Sequence, residues 1–140
     1  MIYTLLYHSV ATAPLSDLEV RALVVRSSQR NARRGITGLL LYGRHQHVPT
    51  APGAFVQWIE GPEAAVRDLY SRIQADPRHM DVECLASGPV AETSRQPGRL
   101  FPSWHMESET MVDLPATLEG FQRYVREQRS AGEGPWAAAA

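Results

Sequence analysis

The stretch SDLEVRALVVRSSQRNARRGITGLLLY, residues 16–42, contains the signals from which the fold can be read. Ser16 is followed three residues later by Glu19, and this capping box predicts the start of a helix. Apolar residues then recur at helical spacing, and Gly35 is a residue that can end the helix. The pattern predicts a helix from about Asp17 to Arg33.

The side of this helix that would lie on a sheet changes character along its length. It begins with aliphatic residues and ends with Ser27 and Asn31. A helix that only covered a sheet would more often stay aliphatic along that side. The polar end therefore indicates a buried polar ligand.

The rest of the chain reads as short strands separated by two further helices. The predicted strands are Ile2–Val10, Ile36–Tyr42, Phe55–Glu60, Met80–Val90 and a segment around Trp104–Glu109. A second helix opens at Gly61-Pro62-Glu63 and stops at Asp76-Pro77, and a third covers Leu114–Gln128. This order predicts an α+β fold, a ferredoxin-like βαββαββ arrangement with a mixed five-stranded sheet, two helices on one face and a C-terminal helix.

A chain of 140 residues is long enough for one domain with its own hydrophobic core. Its content of 44% hydrophobic and 21% charged residues is typical of a soluble globular protein. The formal net charge of −1 gives no reason to expect a nucleic-acid partner or a membrane surface, and no apolar run is long enough to cross a bilayer. The single cysteine, Cys84, excludes an internal disulfide, so we expect a cytoplasmic setting.

Two connections are longer than a tight turn. Gly43–Ala54 joins the second and third strands, and the polar segment Ala91–Arg99 precedes the fifth. We expect one domain over residues 1–110, a C-terminal capping helix over 111–130 and a disordered tail over 131–140.

Five segments of the chain, taken in order, resemble the BLUF family of blue-light sensors that use FAD, in its short stand-alone form. They are LLYHSVA at Leu5–Ala11, NARRGITGLLLY at Asn31–Tyr42, FVQWIEGP at Phe55–Pro62, DPRH at Asp76–His79 and SWHM at Ser103–Met106. One such segment alone is weak evidence. Five in the right order, each at a fitting secondary-structure position, are strong evidence.

The resemblance implies that a flavin, FAD or else FMN or riboflavin, is held between the two helices that lie on the sheet. Tyr7 matches the photoactive tyrosine of the family, and Gln57 matches the glutamine next to it. Asn31 matches the asparagine that hydrogen-bonds the carbonyl edge of the flavin, and Ser27 aligns with a helix position near the cofactor. An amide can both donate and accept, which suits an N–H group beside a carbonyl.

The resemblance also assigns roles after the second helix and on the last strand. Asp76, Arg78 and His79 match residues near the flavin ring and its ribityl chain. Trp104 and Met106 match the pair on the last strand that compete for the place beside the glutamine. Without this context, each of these residues could equally be an ordinary core, turn or capping residue.

The implied function is that of a blue-light photoreceptor and not of an enzyme. Light would drive electron and proton transfer from Tyr7 and a rearrangement of the hydrogen bonds of Gln57, and the signal would pass to an unknown downstream protein. We expect a homo-oligomer, because a short sensor without an effector domain would pass its signal through its surface to another copy of itself or to a partner protein. We expect no metal, since His45 and His47 stand on a loop with no cysteine nearby.

Two other classes of protein remain open. The chain could be a flavin-free ferredoxin-like interaction module that has lost light sensing. A small hydrolase of the acylphosphatase type uses Arg and Asn on a similar fold, but the chain lacks the glycine loop that would cradle a phosphate. Glu60 and Asp76, considered as a pair for acid and base catalysis, have no supporting motif.

Overall fold

The computed structural model describes residues 1–45, 47–48, 50–94 and 98–131 of the chain. Its strands and helices, in chain order, are β1 Tyr3–Ala11, α1 Asp17–Arg34, β2 Thr37–Gly43, β3 Ala54–Gly61, α2 Glu63–Ala75, β4 His79–Pro89, α3 Val90–Thr93, β5 Glu107–Met111 and α4 Leu118–Ala131. Each predicted strand and helix has a counterpart among them. The expected disordered tail lies outside the described residues from residue 132 onward. Among the described residues, the helices are too short or too polar for a membrane span.

The two ends of α1 form as the sequence predicts. The Ser16 hydroxyl accepts from the Glu19 backbone N–H at 3.2 Å, and the Glu19 carboxylate accepts from the Ser16 backbone N–H. At the other end Gly35 takes the left-handed conformation, with φ of 70°, that a glycine adopts without strain. Local chemistry therefore fixes both ends of the helix.

The five strands form one mixed sheet in the order β4-β1-β3-β2-β5. Neighbouring strands are antiparallel except for β2 and β5, which are parallel. The register between β1 and β3 places Tyr7 directly opposite Gln57. Residues opposite each other on neighbouring strands point to the same face of the sheet, so these two side chains can meet.

Each face of the sheet carries its own apolar layer. Helices α1 and α2 cover one face, where Val24, Ile59 and Val66 are among the buried residues. Helix α4 covers the other face through Phe121 and Val125. This arrangement confirms the predicted α+β fold with two helices on one face and a C-terminal helix.

The fifth strand begins later than the sequence pattern predicts. β5 covers Glu107–Met111, so Trp104 and Met106 precede the strand instead of belonging to it. The Gly38 N–H donates to the Trp104 carbonyl at 2.8 Å, but regular pairing with β2 starts only where Leu39 faces Glu107. The backbone before that point is irregular, and strict alternation of side chains does not apply there.

The C-terminal part of the fold also differs from the prediction in two places. α4 begins at Leu118 and not at Leu114, because the Thr117 hydroxyl accepts from the Gly120 backbone N–H at 3.0 Å and caps the helix. The segment predicted as a polar loop before β5 opens with the short helix α3. Residues 95–97 of that segment, and residues 46 and 49 of the connection between β2 and β3, lie outside the described residues.

Candidate functional site

A cleft lies between α1, α2 and the sheet and opens to solvent. Its apolar walls are formed by Leu23, Ile36, Leu40, Phe55, Leu69 and Ile73. The polar residues and the methionine that line it are Tyr7, Ser27, Arg30, Asn31, Arg34, Gln57, Arg72, Asp76, Arg78, His79 and Met106. A cleft with apolar walls and a few directed polar groups suits a flat organic ring with a polar edge.

A continuous chain of hydrogen bonds runs along the floor of the cleft. The Tyr7 hydroxyl donates to Gln57 Oε1 at 2.6 Å, and Gln57 Nε2 donates to the Met106 sulfur at 3.3 Å. All three side chains are buried. Period-two alternation along β3 predicts that Gln57 faces the same side as Phe55 and Ile59, and the structure confirms this placement.

The surroundings of Tyr7 keep its hydroxyl protonated. Burial, and then the carboxylate of Asp76, raise the pKa of Tyr7 far above its usual range. The ring of Tyr7 lies 6.0 Å from that of Tyr70 and 6.0 Å from that of His79, both measured between ring centroids. Tyr7 therefore presents a neutral phenol to Gln57 near neutral pH.

Asn31 offers an unused acceptor to the cleft. Its side chain is only 3% exposed, and Nδ2 donates to the His105 carbonyl at 2.9 Å. Within the described part of the chain, Oδ1 of Asn31 has no hydrogen-bond partner. Leaving a buried amide oxygen without a partner costs free energy, so this position fits a ligand that brings an N–H group. Ser27, one turn earlier on α1, is half-buried and lines the same cleft.

The turn after α2 brings charge and an imidazole to the rim of the cleft. Arg78 donates to Asp76 from its backbone N–H at 2.9 Å and from Nε at 3.0 Å, and this bonding lowers the pKa of Asp76. His79 meets the Ser9 hydroxyl through Nδ1 at 2.7 Å and lies 4.8 Å from the Phe55 ring. Burial lowers the pKa of His79, so the ring is neutral near pH 7.

The structure separates the two residues that the resemblance placed beside the glutamine. Met106 lines the cleft and contacts Gln57. Trp104 is buried on the opposite face of the sheet, where its ring stacks on that of Phe101 with centroids 5.2 Å apart. In this structure Met106, and not Trp104, is the neighbour of the glutamine, because both residues precede β5 and alternation does not fix their sides.

Sequence comparison agrees with this site. A family model described as BLUF, sensors of blue-light using FAD, matches residues 2–107. The chain belongs to the BLUF family. Every residue that the sequence singled out for the site lies inside the matched range of the BLUF domain.

Relatives of this BLUF domain include proteins whose names describe activation by light, and several are much longer than this chain. The chain is 42% identical over 120 residues to the photoactivated adenylate cyclase subunit beta of Euglena gracilis, a match that covers 85% of this chain and 12% of that protein. BlrB, a BLUF protein solved in the dark state, is similar with a TM-score of 0.62 and 29% identity, covering 99% of this chain and 89% of BlrB. Klebsiella pneumoniae BlrP1, solved with FMN and cyclic diGMP, gives a TM-score of 0.63 and 31% identity, covering 91% of this chain and 30% of BlrP1.

Three arginines on the rim of the BLUF cleft are not among the site residues that the resemblance assigns. Arg30, Arg34 and Arg72 line it, and Asp68 forms ion pairs with the latter two. The Arg-rich end of α1 was itself visible in the sequence, and Arg34 lies three residues after Asn31 on a helix. No spacing in the sequence relates Arg72 to the other site residues, because only the packing of α2 beside α1 brings it to the rim.

Proposed function

We propose that this BLUF domain binds FAD in the cleft between α1, α2 and the sheet and senses blue light through Tyr7 and Gln57. The observation that carries the proposal is the buried chain from the Tyr7 hydroxyl through the Gln57 amide to the Met106 sulfur. The same cleft is lined by Asn31, whose buried Oδ1 has no partner within the described residues. Together these groups supply apolar walls, an acceptor and a polar network that can change state.

The residues of the cleft fit a flavin by their chemistry. Asn31 would accept from the N–H of the ring edge, while Leu40, Phe55 and Ile73 would contact its apolar faces. A bound flavin supplies absorption of blue light and, once excited, an acceptor for one electron. Tyr7 would give up that electron, and its proton would leave along the hydrogen bond to Gln57 Oε1.

The amide of Gln57 can adopt two distinct hydrogen-bonding states, in darkness and after light absorption, because its oxygen accepts hydrogen bonds and its nitrogen donates them. Tyr7 donates to the oxygen and the Met106 sulfur accepts from the nitrogen, so the orientation in this structure satisfies both neighbours. The reversed amide, or its tautomer, would exchange donor and acceptor and face Tyr7 with a donor. The two states would differ in hydrogen bonding and not in covalent structure, as in a two-state equilibrium that light shifts.

The arginines on the rim support FAD or FMN over riboflavin as the bound flavin. Arg30 is exposed at the rim, and Arg34 and Arg72 lie nearby in ion pairs with Asp68. Guanidinium groups suit phosphate oxygens, which riboflavin lacks. BlrP1 was solved with FMN, and the family is described as using FAD.

The output of the domain is a separate part of the proposal. The chain spans about an eighth of the length of the Euglena relative, so the cyclase activity in that protein's name is not carried over here. We propose that the domain is a sensor module without catalysis of its own, which signals to another protein or to another copy of itself. Size-exclusion chromatography with light scattering, in darkness and under blue light, tests whether a homo-oligomer forms.

A matched pair of tyrosine variants tests the proposed photochemistry. The purified protein is reconstituted with FAD and its absorption band is followed under blue light and after return to darkness. Tyr7→Phe should retain FAD and lose the reversible shift to longer wavelength, because the phenol hydrogen bond to Gln57 is gone. Tyr70→Phe removes a neighbouring hydroxyl that does not contact Gln57 and should keep the shift. A Tyr7→Phe protein that still cycles normally would refute the mechanism, and a wild-type protein that takes up no FAD would favour the flavin-free module.

A further inference from the structure

Glu60 is a buried carboxylate with no part in the proposed photochemistry. It lies on β3 three residues after Gln57, is fully buried, and faces the side of the sheet that α4 covers. Removing a carboxylate from water costs free energy unless several hydrogen-bond donors replace the water. The groups that donate hydrogen bonds to Glu60 therefore indicate its structural role.

Four donors converge on the Glu60 carboxylate. Oε1 accepts from the Trp58 indole N–H and from the Leu100 backbone N–H, each at 2.8 Å. Oε2 accepts from the Phe101 backbone N–H at 2.8 Å and from the Thr37 hydroxyl at 3.0 Å. Each of these groups donates, which suits the ionised carboxylate, whose oxygens only accept.

Two of these bonds hold the backbone that leads to the floor of the cleft. Leu100 and Phe101 stand just before the irregular segment Trp104–Met106. The Trp104 backbone N–H donates to the Phe101 carbonyl at 3.4 Å, and the Trp104 carbonyl accepts from Gly38 at 2.8 Å. The segment then crosses to the other side of the sheet and brings Met106 to the amide of Gln57.

The same backbone is also held from α4. The Arg129 guanidinium donates to the Leu100 carbonyl and lies over the Phe101 ring, with its carbon 5.7 Å from the ring centroid. Arg99 adds bonds to the Thr37 hydroxyl at 2.8 Å and to the Gly35 carbonyl at 2.7 Å. The residues before Trp104 are thus fixed between β3, the end of α1 and α4.

We propose that Glu60 is a positioning residue for the light response: its carboxylate fixes Leu100 and Phe101 and thereby holds the Met106 sulfur against Gln57. It acts from the face of the sheet opposite the cleft and touches neither Gln57 nor the ligand. The inference rests on the proposed function where the light response is the readout. The placement of Met106 can be tested without light.

Glu60→Gln is the direct test because it keeps the shape and changes one oxygen into a donor. The new amide nitrogen would face a backbone N–H that needs an acceptor, so the backbone at Leu100 or Phe101 must move. Thr37→Val is a milder variant, which removes one of the four donors. Thr4→Val is its matched control: Thr4 is as buried as Thr37 and lies directly opposite Glu60 on β1, but its hydroxyl bonds the Gly88 carbonyl at 3.0 Å and the Thr93 hydroxyl instead of the Glu60 carboxylate.

The first readout is the ¹³C-methyl resonance of Met106 in methyl-labelled protein, recorded in the dark. It should move in Glu60→Gln, move less in Thr37→Val and stay at the wild-type position in Thr4→Val. An unmoved resonance in both Glu60→Gln and Thr37→Val, or an equal movement in Thr4→Val, would overturn the inference. This readout stands even if the protein shows no light response, so failure of the proposed function is seen separately.

The second readout is the rate at which the light-shifted flavin band returns in darkness. Glu60→Gln should change this rate about threefold or more, in the same direction as Met106→Leu, since both loosen one contact with Gln57. The double variant should recover like Met106→Leu alone, because residues that act through one contact are not additive. Additive effects in the double variant, or a wild-type rate in Glu60→Gln, would show that Glu60 supports the fold without positioning Met106.

Discussion

Replacing Asn31 with alanine should weaken FAD binding more than replacing Gln29, an exposed amide on the same helix. The substitution removes the buried Oδ1 that faces the cleft and also the 2.9 Å bond from Nδ2 to the His105 carbonyl. The bond to His105 is present with and without the flavin, so only the bond from the ligand to Oδ1 counts towards binding, and a neutral hydrogen bond contributes about 0.5–1.5 kcal/mol. Because about 1.4 kcal/mol is a factor of ten, we expect the dissociation constant for FAD to rise about 2- to 13-fold.

The measurement is a fluorescence titration of FAD with apoprotein in the dark. Gln29→Ala is the matched control, since Gln29 is an exposed amide on the same helix two residues earlier. It should bind FAD as the wild type does. An Asn31→Ala protein that binds FAD within about twofold of the wild type would refute the assignment of Asn31, because a difference that small is less than one hydrogen bond.

Three further results follow from the structure. Arg30→Ala should weaken binding of FMN about threefold to tenfold at low salt and leave riboflavin binding unchanged. Arg33 is an exposed arginine outside the cleft, so Arg33→Ala should change the binding of neither flavin. Equal losses of FMN and riboflavin binding in Arg30→Ala would exclude a phosphate contact. Burial holds the pKa of His79 below its value in the unfolded chain, so the unfolded chain binds the proton first as pH falls. The free energy of unfolding should therefore decrease as pH falls through about 6.5. In urea unfolding, His79→Gln should flatten this pH dependence, and an unchanged dependence in the variant would contradict the role of His79. Thr117→Ala should lower the free energy of unfolding by about 0.5–2 kcal/mol through loss of the α4 cap, as read from the denaturant midpoint. An unchanged midpoint would contradict the assignment of Thr117 as the cap.

The parts of the fold that the sequence predicted well are those set by local chemistry. Ser16, Glu19 and Gly35 determine the ends of α1 through bonds to residues a few positions away. The face of Gln57 followed from simple alternation along β3, a regular strand paired on both sides. In both places the structure depends on residues that are close together in the sequence, so the sequence pattern is enough to predict it.

The parts that the sequence did not predict depend on contacts between distant residues. Trp104 and Met106 fall on opposite sides of the sheet because the Glu60 carboxylate and the Gly38 N–H hold the backbone before β5. No pattern near residue 104 reveals bonds to residues 38 and 60. The sequence offers no motif for Glu60 and Asp76 as a catalytic pair, and the structure places the two carboxylates on opposite faces of the sheet.

The light-minus-dark absorption spectrum of the FAD-loaded protein, compared with that of Gln57→Leu, tests the central claim most directly. Leucine is one heavy atom shorter than glutamine, fills most of the same apolar space, and can neither accept from Tyr7 nor donate to Met106. The wild-type protein should show a reversible difference band on the long-wavelength side of the flavin absorption, and Gln57→Leu should bind FAD and show none. A Gln57→Leu protein with the full reversible shift would contradict the claim that rearrangement of the Gln57 hydrogen bonds is how this BLUF domain registers light.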